Sequence, residues 1–152
     1  MDLPAELLIS LHPEPFMPLE LLAAWQLAAS ALAPLAAAES HFIGRVRPVG
    51  ADGTALEALE LEHYPGMSER RLQDLAQELA ERHGVSRVRL AHRVGRVRPG
   101  EAIVLVAVAA DRRGPAQRCA QELLEALKHE APFWKREWSG GVGTWVEGNT
   151  PF

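Results

Sequence analysis

The hydrophobic pattern divides the chain into short apolar runs separated by proline, glycine and charge. Leu7 to Leu11 is an apolar run closed by His12-Pro13-Glu14-Pro15, which predicts a first strand and a loop. Pro18 is placed to open a helix that runs to about Leu32 and is stopped by Pro34. Its apolar residues Leu19, Leu22, Ala23, Trp25 and Leu27 cover most of the circumference, so burial on more than one side is expected. Ala37 to Arg47 predicts a strand, and alternation sets Arg45 and Arg47 on one face of it. Leu56 to His63 predicts a half-buried strand with a break in register near Ala58. Ser68 is expected to cap the next helix, with Leu72, Leu75, Ala76 and Leu79 as its buried stripe and Gly84 as its stop. Glu78 and Arg82 stand four apart in the favourable order.

Val85 to Val94 predicts a further strand, ending at Gly95. Ile103 to Ala109 is almost wholly apolar and is expected to be a central strand covered on both faces. A last helix follows Asp111-Arg112-Arg113-Gly114-Pro115, burying a face of Ala116, Cys119, Ala120, Leu123, Leu124 and Leu127. Trp134 to Trp138, Gly140-Gly141 and Thr144 to Glu147 predict a closing hairpin. This order implies an α+β fold, a mixed and mainly antiparallel sheet with three helices. One domain over residues 1–152 is expected, with a flexible tail at 148–152.

Charge and composition narrow the partners. A net charge of −4 gives no general attraction to nucleic acid or to an anionic membrane, so an anionic ligand needs a local basic cluster. The apolar stretch from Leu21 to Ala38 carries Gln26, Ser30 and Pro34, and no Lys or Arg precedes Arg45; neither a membrane span nor a secretory signal is expected. Cys119 is the only cysteine, which excludes an intrachain disulfide and a cysteine-based zinc site and fits a reducing cytosol. Its place in a buried stripe predicts an inert core thiol. The six histidines show no ligand spacing on one element, each being expected as ordinary surface or core, and no metal site is expected.

Lys128 and Lys135 are the only lysines; every other fixed cation is arginine. Arginine stays protonated, whereas a lysine shifts its pKa and can serve as a base, a nucleophile or a compact charge. Pro132 is expected to end the helix that carries Lys128, leaving Lys135 on the extended segment beyond. Arg45 and Arg47, Arg112 and Arg113, and the two lysines would form a basic pocket for a small phosphorylated ligand if the fold gathers them, within one subunit or across a dimer interface.

Four stretches carry a family resemblance: Phe42-Ile43-Gly44-Arg45-Val46-Arg47, Leu61-Glu62-His63-Tyr64-Pro65-Gly66-Met67, His92-Arg93-Val94-Gly95, and Lys128 with Ala131-Pro132-Phe133-Trp134-Lys135-Arg136-Glu137. In order, from about Ala37 to Glu147, the chain resembles the large subunit of molybdopterin synthase. The resemblance implies an α/β-hammerhead-like fold and a cytoplasmic sulfurtransferase of molybdenum cofactor synthesis. Its implied assembly is a homodimer within a heterotetramer. A small ubiquitin-like subunit there threads a Gly-Gly C-terminus, carried as a thiocarboxylate, into the site, and its sulfur passes to cyclic pyranopterin monophosphate to build the dithiolene. No metal or diffusible cofactor is implied.

By the same resemblance Lys128 and Lys135 are the catalytic amines. Arg45, Val46, Arg47, Arg112, Arg113, Arg136 and Glu137 join them as substrate-binding positions. One departure stands out: Arg112 occupies a place where many members have a histidine, removing a group that exchanges protons near neutral pH. Pro48 is a smaller departure. The reading from another class is a non-catalytic dimeric α+β module that binds a phosphorylated metabolite.

Overall fold

The strand Ala102–Ala110, written AIVLVAVAA, lies at the centre of the molecule because neither of its faces is polar. In the computed structural model, which describes residues 4–30, 34–130 and 133–146, eleven elements surround or include it. In chain order they are β1 (Glu6–His12), α1 (Pro18–Ser30), β2 (Ala38–Arg45), β3 (Ala58–His63), α2 (Met67–His83) and β4 (Arg87–Arg93). Then come β5 (Gly95–Val97), β6 (Ala102–Ala110), α3 (Arg113–Glu130), β7 (Phe133–Ser139) and β8 (Val142–Trp145). The strands form two four-stranded sheets, ordered β1-β4-β6-β2 and β5-β3-β7-β8. Only β1 and β4 pair in parallel among these; every other pairing is antiparallel, so the fold is α+β with mixed sheets.

Alternation along β6 distributes the core. Val104, Val106, Val108 and Ala110 point to one face, where Leu72, Leu75 and Leu79 of α2 and Cys119, Leu123 and Leu127 of α3 close over them. Leu105, Ala107 and Ala109 point to the other face, against Leu22 and Trp25 of α1. A third cluster, Val46, Leu61 and Val97 with Ile103 and Phe133, joins the two sheets.

Several boundaries differ from the sequence expectation. α1 buries one side only: Leu22 and Trp25 are enclosed, while Leu19 is 71% and Leu27 69% exposed. The sheet face offers Leu105 and the small Ala107 and Ala109 to a single stripe of the helix. The N-cap of α2 is Gly66, not Ser68; Ser68 is buried in the first turn, where its hydroxyl accepts the Tyr64 N–H at 3.1 Å. Gly66 donates its N–H to the Glu69 carboxylate. Gly84 closes α2 at φ +66°, a left-handed conformation that a side chain would strain, as its sequence position implies. Gly95 is not merely a turn but begins β5, which borders β3. β2 ends at Arg45 after a register shift at Gly44/Arg45, so Arg47 lies beyond the strand. The Pro132 helix stop, the end of α1 near Leu32 and the 148–152 tail fall outside the described residues.

Candidate active site

Where the two sheets meet, the ends of four elements enclose a cavity of about 350 Å³. Arg45, Val46 and Arg47 enter it from the end of β2, His92 from β4, Lys128 from the last turn of α3, and Lys135 and Glu137 from β7. The apolar part of the wall comes from Phe42, Val104, Leu124, Leu127 and Phe133. Gly44 also lines it; a Cβ there would lie 2.9 Å from Val104 Cγ1, so a larger residue would push into the sheet at the cavity wall. Strand pairing explains the β7 contribution. Lys135 stands opposite Leu61 and Glu137 opposite Leu59, and alternation sends both toward the cavity.

Both lysines therefore meet the same space, as do Arg45 and Arg47. The β2 register shift does not separate the arginines, because buried Val46 between them holds the spacing: its N–H bonds the Glu101 carbonyl at 3.1 Å and its carbonyl accepts from Gly100 at 2.9 Å. Burial, and then the charge of Lys128, lower the pKa of Lys135 below that of an ordinary lysine. Its amine thus releases a proton more readily than a solvated one. Glu137 accepts the Ala51 N–H at 3.1 Å and so ties the 48–55 loop to the cavity wall.

Three of the sequence candidates lie elsewhere. Arg136 points to the opposite face of β7, its guanidinium 4.1 Å over the Trp145 ring and paired with Glu60 and Glu62 at 3.7 and 3.4 Å. Arg112 and Arg113 are exposed at the start of α3. The fifteen residues of helix from Arg113 to Lys128 put them about 22 Å from the lysine end. Within one chain, the fold gathers Arg45, Val46, Arg47, Lys128, Lys135 and Glu137 and leaves those three out.

The structure adds His92, which charge and spacing did not single out. Its ring is 7% exposed, stacks on Phe133 with centroids 4.5 Å apart, and lines the cavity. Its one sequence signal was membership of the His92-Arg93-Val94-Gly95 stretch, which gives no hint of proximity to lysines far along the chain. Cys119 behaves as its stripe predicts: it is buried between helices, its S–H faces the Leu79 carbonyl at 3.8 Å, and burial raises its pKa to about 11. Among the described residues, no group of three or more His, Cys, Asp or Glu is placed to hold a metal. No helix among them is long and apolar enough to cross a membrane.

Chemically, the cavity offers two ammonium groups and two guanidinium forks over an apolar wall, a setting that favours a flat ligand bearing an anionic group. The chain is 41% identical over 114 residues to the molybdopterin synthase catalytic subunit of Ralstonia nicotianae, covering 75% of this chain and 64% of that protein. It is 42% identical over 106 residues to the subunit of the same name from Escherichia coli, covering 70% of each. The chain thus spans roughly two thirds of the length of these relatives. The solved structure of the molybdopterin biosynthesis MoaE protein from Burkholderia ambifaria superimposes with a TM-score of 0.75 at 35% identity, covering 94% of this chain and 90% of that one. The MoaE protein family model matches residues 14–130, and with the fold and the sequence in agreement this chain belongs to the MoaE family.

Proposed function

We propose that this chain is a molybdopterin synthase catalytic subunit. It transfers sulfur from the C-terminal thiocarboxylate of a small ubiquitin-like subunit to cyclic pyranopterin monophosphate, and the product carries the molybdopterin dithiolene. The observation that carries this reading is the joint presence of Lys128, Lys135, Arg45 and Arg47 in one cavity whose lining holds no cysteine. The only cysteine is sealed in the core, which agrees with sulfur that arrives on a partner. Arg45 and Arg47 suit the cyclic phosphate. An ammonium at Lys128 stabilises negative charge as the thiocarboxylate attacks, and Lys135, with its lowered pKa, is suited to hand over a proton.

The reading includes a cytoplasmic location, one functional unit over residues 1–152, and a homodimer within a heterotetramer. Arg112 and Arg113 can serve a cavity only across an interface with a second copy, since their own cavity lies at the far end of α3. Arg136, locked between tryptophan and carboxylates, then acts by holding β7 in register for Lys135 and Glu137.

The test is turnover of cyclic pyranopterin monophosphate with thiocarboxylated small subunit, followed by the fluorescence of the oxidised pterin product. Wild type is expected to form product, and Lys128→Arg to lose at least about 100-fold, the scale of a proton-transfer or charge-stabilising group. A folded wild type that binds the small subunit yet makes no product would sink the enzymatic reading. It would leave a phosphate-binding module in which retained charge at position 128 is sufficient.

A further inference from the structure

Among the described residues six polar side chains line the cavity, and four of them, Arg45, Arg47, Lys128 and Lys135, can only donate hydrogen bonds while charged. The acceptors are Glu137 and His92. Glu137 turns one carboxylate oxygen to Ala51 and also walls the neighbouring depression beside β8. His92 has a more specific geometry. Its Nδ1 lies 2.8 Å from the Arg93 carbonyl oxygen. A carbonyl only accepts, so the ring proton is on Nδ1. Burial, with the charges of Lys135 and Lys128, holds the imidazole neutral and lowers its pKa to about 4. Near neutral pH, Nε2 therefore carries a lone pair and no proton. The stack on Phe133 fixes the ring plane at the cavity wall. On a residue that lines the cavity, that lone pair is an acceptor available to a bound ligand.

We propose that His92 is a substrate-contacting residue whose Nε2 accepts a hydrogen bond from a ring N–H of the bound heterocycle. This rests on the pterin substrate proposed above. The arginines and lysines hold the anionic and carbonyl oxygens of such a ligand, and His92 supplies the complementary acceptor for its N–H edge. A ligand with the same phosphate but no N–H donor would leave Nε2 unpaired, and discrimination of that kind is strong where the site is dry.

Two measurements test it in the complete complex with thiocarboxylated small subunit. In steady-state kinetics, His92→Phe, which keeps a ring against Phe133 but no acceptor, is expected to raise KM about tenfold with a smaller change in kcat. His92→Gln, which retains an acceptor on a side chain of similar reach, recovers most of that loss. In wild-type protein labelled with 15N histidine, the Nε2 resonance is expected at the position of an unprotonated imidazole nitrogen and moves when cyclic pyranopterin monophosphate saturates the site. An unchanged KM in a folded His92→Phe variant overturns the proposal, and so does an Nε2 resonance unmoved by bound substrate. The NMR arm stands even if His92→Phe does not fold. Wild type that neither binds nor converts the pterin instead overturns the functional reading itself, so the two failures are distinct.

Discussion

At the scale of single residues, the cavity is a place where burial and charge act on titratable groups together. His92 shows this most directly. Its pKa falls from 6.5 to about 4, because burial opposes the charged ring and the Lys135 and Lys128 charges add to that opposition. The unfolded chain therefore binds a proton at His92 between those pH values while the folded one does not. Stability is full above pH 6.5 and is lost as pH falls toward 4. A depression of this size corresponds to about 2–3 kcal/mol between pH 7 and pH 4.5, at roughly 1.4 kcal/mol per unit. Urea unfolding of wild type and His92→Gln across that range checks it: the two stabilities should converge on acidification. Parallel curves would show that His92 is not protonated on unfolding.

At the scale of elements, each helix owes its stability to the stripe it presents to the sheets. α1 is the clearest case, since its composition is apolar nearly all round yet among its described side chains Pro18, Leu22 and Trp25 alone are buried. Trp25 fills the space above Ala107 and Ala109, with the Arg87 guanidinium 4.4 Å over its ring and hydrogen-bonded to its carbonyl at 3.1 Å. Trp25→Ala is expected to cost about 3–5 kcal/mol, the range for removing a large buried aromatic. Leu19→Gln, on the outer side, should change stability by no more than about 0.5 kcal/mol. Thermal unfolding of the isolated protein compares the two. A loss at Leu19 as large as that at Trp25 would reveal that the outer side is covered in solution.

At the scale of the whole molecule, the distribution of basic residues matters. The cavity collects Arg45, Arg47, Lys128 and Lys135, whereas Arg112 and Arg113 lie about 22 Å away along α3. Under the dimeric reading the missing arginines come from a second copy, and a complementation experiment decides it. Lys128→Ala and Arg113→Ala proteins, each inactive, are unfolded, mixed and refolded together. Random pairing makes half of the dimers mixed, with one intact site of two, so about a quarter of wild-type turnover should return. No recovery despite mixed dimers means that Arg113 and Lys128 serve the same chain's chemistry, and an Arg113→Ala protein that is active before mixing means that Arg113 serves none.

The sequence by itself determined the elements with a one-dimensional signature. β6 is apolar without interruption, α2 and α3 carry regular buried stripes, Gly84 marks a left-handed stop, and the Trp134–Trp145 region alternates around a Gly-Gly turn. It also marked the two lysines, because their rarity is a property of composition. Tertiary structure decided what depends on packing between distant segments. Whether α1 buries one side or two was set by how much sheet it meets, and the orientation of Arg136 was set by the register of β7 on β3. The role of His92 was invisible for the same reason. A histidine becomes a neutral acceptor beside two lysines only when β4, α3 and β7 converge, and no local pattern encodes that convergence.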